Sequence, residues 1–111
     1  MKELLFSYGT LQLKKVQIES FGRKLNGTKE RLKSFKIEQL KITDPLVLLK
    51  SEKEFHPIAI PTNDEKDEIN GTLYKISLQE LKKADDYEVS DYVRIKATFE
   101  SGKKGWIYIK S

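Results

Sequence analysis

Hydrophobic positions fall into short clusters separated by polar turns. Leu4, Leu5 and Phe6 make residues 2–7 read as a first strand, apolar enough to be buried. That run breaks at Tyr8-Gly9-Thr10-Leu11. Residues 12–21 then read as a short helix, with Leu13, Val16 and Phe21 on one face and Gly22 as its C-terminal stop. Asn26-Gly27 marks a turn. Residues 30–42 alternate at strand spacing, Phe35 and Ile37 in one phase and Leu40 and Ile42 in the other, which predicts a bulge or a bend. Asp44-Pro45 reads as a turn before a buried strand at 46–49. Pro57-Ile58-Ala59-Ile60-Pro61 is apolar but fenced by prolines, so it reads as an edge strand or a packed loop and not as a central strand.

The second half is more regular. A polar loop at 62–68 leads into an alternating strand at 69–76. Ser77 and Glu80 have the spacing of a capping box, which predicts a helix of two or three turns through Leu81 and Ala84. Residues 92–99 alternate again, and Ser101-Gly102-Lys103-Lys104-Gly105 joins them to a last strand at 106–109, forming a hairpin. Many short strands and two short helices, in an order that does not alternate strictly, predict an α+β fold. The expected architecture is a single domain over 1–111, with a mixed, mostly antiparallel sheet curled into a small barrel.

A length of 111 residues fits one core of moderate size. There is no cysteine, which excludes disulfides, thiolate catalysis and cysteine zinc sites. No apolar run approaches the length of a membrane span, and Met1-Lys2-Glu3 opens without a signal-peptide stretch, so the expected location is cytoplasmic and no membrane partner is expected. The net charge of +4 comes from 21 basic and 17 acidic residues, many interleaved as in Lys29-Glu30-Arg31. That pattern reads as a solvated surface. No aromatic-basic motif or basic recognition helix marks a nucleic-acid partner.

Two segments carry candidate chemistry. A strand that stops at Gly9 and passes into a helix leaves backbone N–H groups without partners, and these can receive an anion. Further along, Asp85, Asp86, Glu88 and Asp91 crowd together where the second helix should end. Acids are unfavourable at that end of a helix. A partly desolvated carboxyl among like charges has a raised proton affinity, which suits a general acid/base near neutral pH.

Several motifs, in order, resemble the gamma-glutamylcyclotransferase-like family, including its small AIG-type members. Tyr8-Gly9-Thr10-Leu11 is similar to the family's substrate loop, and Pro57-Ile58-Ala59 falls where a Pro-Ala pair is common. Ile69-Asn70-Gly71-Thr72-Leu73-Tyr74-Lys75-Ile76 resembles a V-x-G-x-L-Y-x-I strand. Asp85-Asp86-Tyr87-Glu88 with Tyr92-Val93-Arg94 resembles L-D-x-Y-E followed by Y-x-R. Ala84, Gln12-Leu13 and His56 depart from the usual residues.

The resemblance implies an enzyme that cyclises a gamma-glutamyl amide to 5-oxoproline and a free amine or amino acid, with no metal or cofactor. By motif, Glu88 is the general acid/base, the backbone of Tyr8, Gly9, Thr10 and Leu11 binds the substrate, and Tyr92 walls the pocket. Asp85 is expected to brace the helix end and Arg94 to pair with a carboxylate such as Asp85. Tyr87 reads as core or pocket wall, and His56 as a packed ring. The expected partner is a small gamma-glutamyl molecule, and the expected state a monomer or weak homodimer. The alternative is a non-catalytic small-molecule or anion-binding module on the same fold.

Overall fold

In the computed structural model, which describes residues 2–41, 55–87 and 92–110, β1 (Lys2–Ser7) lies inside a seven-stranded sheet. The other strands are β2 (Asn26–Lys33), β3 (Phe35–Lys41), β4 (Phe55–Pro61), β5 (Glu68–Ser77), β6 (Tyr92–Thr98) and β7 (Lys104–Lys110). Their order is β2-β5-β1-β7-β4-β3, with β6 paired to β7. A single 3-10 turn (Thr10–Gln12) and α1 (Lys14–Phe21) follow β1, and α2 (Leu78–Tyr87) follows β5. The Asp44-Pro45 turn and the strand expected at 46–49 lie outside the described residues. Neither α1 nor α2 is long and apolar enough to cross a membrane.

Period-two alternation sorts the core onto two faces. Phe6, Leu73, Phe99 and Ile107 belong to one buried cluster. Their sequence neighbours Leu5, Tyr74 and Tyr108 belong to the other, together with Leu81 and Ala84 of α2. The sheet curls without closing. Its hairpin turn is fastened to β2 instead: Glu100 N–H donates to the Arg31 carbonyl at 3.0 Å. The Ser101 hydroxyl donates to the buried Glu30 carboxylate at 2.5 Å. Burial pushes the Glu30 carboxyl up, but the Ser101 donors, with the Arg31 N–H and the Lys103 charge, hold the group below the usual carboxylate range.

The capping box forms as spaced. Glu80 N–H donates to Ser77 Oγ at 3.1 Å and Ser77 N–H donates back to Glu80 Oε1 at 2.9 Å. The β6–β7 hairpin pairs from Tyr92 opposite Lys110 to Thr98 opposite Lys104.

Four expectations change. Asn26-Gly27 is not a turn but the start of β2, where Gly27 lies opposite Tyr74. A Cβ there would come within 2.5 Å of the Tyr74 ring, so this glycine serves close approach and not chain reversal. The bend expected between Ile37 and Leu40 falls earlier, at Ser34, whose φ of 67° breaks β2 from β3. Its N–H donates to Asp67 O and its carbonyl accepts from Thr62 N–H.

β4 is an interior strand, with β3 on one side and β7 on the other. Its prolines are tolerated because Pro57, Ala59 and Pro61 turn their backbone groups the same way, and the Ala59 N–H points to a side chain, the Tyr8 hydroxyl, away from β3. The N–H groups that proline lacks are therefore not ones the β3 ladder needs. Finally, α1 starts at Lys14 and does not dock by the expected apolar face. Leu13 is 57% exposed, and the residue that α1 buries is Gln17, at 3%. Val16 and Phe21 lie five residues apart, which is about 140° around a helix, so they cannot form one stripe. The Gly22 stop is as expected, with φ 73° and its N–H on Ile18 O at 2.8 Å.

Candidate active site

One edge of β7 is shared by two strands. β1 pairs in parallel at Leu5 opposite Trp106, and β4 pairs in parallel at Ala59 opposite Ile109. Tyr8, the first residue after β1, fills the fork between them. Its hydroxyl donates to Tyr108 O at 2.6 Å and accepts the Ala59 N–H at 3.1 Å. In open α/β sheets, the point where neighbouring strands part in this way at their carboxyl ends is the usual place for a ligand.

Beyond Tyr8 the loop 9–12 is tightly held. Gly9 O accepts from Gln12 N–H at 3.2 Å and from Gln12 Nε2 at 3.3 Å. Thr10 O accepts from Leu13 N–H at 2.9 Å, and Leu11 O from Gln17 Nε2 at 2.9 Å. All three carbonyls are thus satisfied by the protein. Among the described residues, no acceptor pairs with the N–H of Thr10 or Leu11, as the first turn of any helix requires. Gly9 has a φ of −131°, and a Cβ there would meet Pro57 Cγ at 3.6 Å, an ordinary contact, so crowding within the protein does not demand glycine.

The second predicted segment meets the same place from the other side. Asp85, in the last turn of α2, accepts from Arg94 Nε at 2.8 Å and Nη2 at 2.9 Å, and from the Tyr108 hydroxyl at 2.7 Å. The Arg94 guanidinium lies 4.2 Å from the centre of the Trp106 ring, with Lys96 Nζ at 4.5 Å. Tyr92 opens β6, and its hydroxyl donates to Pro57 O at 2.9 Å. Tyr8 and Tyr92 therefore both end on β4, two residues apart.

The raised proton affinity expected of the acidic cluster does not apply to Asp85. Burial pushes its carboxyl up, but the Arg94 and Tyr108 hydrogen bonds hold it below the usual range. The brace expected of Asp85 and the pairing expected of Arg94 are both present. Glu88 lies outside the described residues, between Tyr87 at the end of α2 and Tyr92 at the start of β6. Sequence reasoning gave no role to Tyr108, Gln12 or Gln17, although Gln12 stands out as a departure from the family's usual residue and Tyr108 as one of the alternating aromatics of β7.

The chain belongs to the family of gamma-glutamyl cyclotransferases, AIG2-like, whose model matches residues 5–111. Among solved structures it is similar to a gamma-glutamyl cyclotransferase, at 19% identity and a TM-score of 0.76 over 100% of this chain and 68% of that one. An uncharacterised Homo sapiens protein gives 20% identity and a TM-score of 0.78 over 99% and 67%. An Arabidopsis thaliana protein solved in solution gives 20% and 0.76 over 99% and 62%. The chain thus spans about two thirds of the length of each of these proteins, and the likeness is one of fold. Among curated protein sequences, none matches the chain.

Proposed function

We propose that this domain is a gamma-glutamyl cyclotransferase acting by intramolecular aminolysis. The observation that carries the reading, beside family membership, is the position of Tyr108. Its carbonyl receives the Tyr8 hydroxyl and its own hydroxyl goes to Asp85. One strand residue thereby braces both segments that the resemblance names.

In the proposed reaction, the α-amine nitrogen of the gamma-glutamyl group attacks its own δ-carbonyl carbon. An N–C bond forms to close the five-membered ring, and the bond to the leaving nitrogen breaks. Nucleophile and electrophile share one molecule, so the protein mainly has to hold a folded conformer. The α-ammonium must lose a proton and the leaving nitrogen must gain one. A single carboxylate between the two nitrogens performs both transfers, and Glu88 is assigned that role. No water, oxidant or reductant enters the balance.

The N–H groups at the start of the 3-10 turn would receive the substrate α-carboxylate or the developing oxyanion. Tyr92, whose hydroxyl donates to Pro57 O, would offer its ring as wall. The substrate class is a gamma-glutamyl amino acid, amine or peptide. The test is 5-oxoproline release across a panel of such compounds. Release of 5-oxoproline with stoichiometric free amine supports the reading. Binding without release would make the domain a ligand-binding module instead.

A further inference from the structure

We infer that the side-chain amides of Gln12 and Gln17 are positioning groups that aim the backbone of the 9–12 loop at its ligand; this rests on the proposed role of that loop in receiving a carboxylate. A trans peptide points its C=O and N–H in opposite directions. Whatever fixes the Gly9 carbonyl therefore also fixes the Thr10 N–H, in the opposite sense. Gln12 Nε2 does this by donating to Gly9 O at 3.3 Å. The same amide is tied to the sheet, since Thr72 Oγ1 of β5 donates to Gln12 Oε1 at 3.0 Å.

Gln17 secures the peptide two steps on. Its Nε2 donates to Leu11 O at 2.9 Å, and its Oε1 accepts the Leu25 N–H at 2.8 Å. A backbone N–H can only donate, so the amide cannot be flipped, and its donor end must face the loop. Fixing Leu11 O aims the Gln12 N–H back at Gly9 O, which closes the turn. A buried amide is costly unless both ends are satisfied, and an apolar side chain would dock α1 without that demand. Instead α1 buries Gln17 and no other residue. Helix α1 acts as a bracket for the loop, and both glutamines deliver their donors to its carbonyls.

The experiment titrates isotope-labelled protein with 5-oxoproline, the product carrying the same carboxylate, and follows the Thr10 and Leu11 amide resonances. In the wild type these should shift and saturate. Gln12→Met keeps the bulk and loses the donor, so affinity should fall roughly tenfold while amides elsewhere in the sheet keep their resonances. Gln17→Glu keeps the acceptor for Leu25. Its carboxyl can donate to Leu11 O only when protonated, so affinity should be weak at neutral pH and recover on acidification, a profile that a general loss of packing does not produce.

Wild-type affinity in both variants would overturn the inference, as would Thr10 and Leu11 amides that ignore 5-oxoproline. Cyclase activity with unresponsive amides would overturn this inference and leave the proposed function standing. Responsive amides that weaken in Gln12→Met, in a protein releasing no 5-oxoproline, would uphold the inference and remove the catalytic reading.

Discussion

The Tyr8 hydroxyl donates to the Tyr108 carbonyl at 2.6 Å while accepting the Ala59 N–H, and so spans the point where β1 leaves β7 and β4 takes over. Tyr8→Phe keeps the ring and leaves a carbonyl and an N–H without this partner. The expected cost is about 1–3 kcal/mol of unfolding free energy, read from urea denaturation with an unchanged slope.

Asp85 ties the last turn of α2 to β6 and β7 through three hydrogen bonds. Asp85→Asn removes the charge and the two-pronged contact with Arg94. The site is partly exposed, so the expected loss is modest, about 1 kcal/mol. Arg94→Lys should cost a similar amount, because an ammonium cannot make the paired contact. A double-mutant cycle checks that the two losses overlap and do not add.

Acid should weaken the fold through Glu80. The Arg23 hydrogen bond, helped by Ser77, holds its carboxyl at about 2. That lies below the unfolded glutamate range, so the contribution is complete above roughly pH 5 and disappears as pH falls towards about 2. Arg23 is 39% exposed and solvent screens the pair, so the amount is on the order of 1–2 kcal/mol. Stability measured from pH 6 to pH 2 should drop less steeply in Glu80→Gln than in the wild type.

Gly27→Ala puts a methyl group into the Tyr74 ring, which is buried at 5% exposure. Overpacking of this kind costs about 1–3 kcal/mol. Circular dichroism melts should show a lower midpoint with native secondary structure retained. A neutral result would mean that the Tyr74 ring yields and that close approach does not require glycine at this position.

What the chain reveals locally is what local chemistry decides. The Ser77–Glu80 box and the Gly22 stop are each contained within a few residues, and both form as spaced. The β6–β7 hairpin is similarly readable, because alternation and a Gly-rich turn sit side by side. Misreadings occur where a distant partner decides. Gly27 answers to Tyr74, and the prolines of β4 answer to Tyr8, which takes the Ala59 N–H.

Gln17 looks like a solvent-facing helix residue until Leu11 and Leu25 are brought to its two ends. Of the candidate site, the motifs marked Tyr8–Leu11 and Tyr92. They carried no sign that Tyr8 and Tyr92 would converge on Pro57 and Ala59, a fact of sheet topology and not of spacing.

The most direct measurement is 5-oxoproline release by the wild type and by Glu88→Gln, side by side, on the best gamma-glutamyl substrate of a panel. The expected result is turnover by the wild type and a loss of kcat of roughly 100-fold or more in Glu88→Gln, with KM changed far less, since a base lost from the reacting centre acts on the transition state. Full release by Glu88→Gln, with the wild type active beside it, would contradict the role given to Glu88.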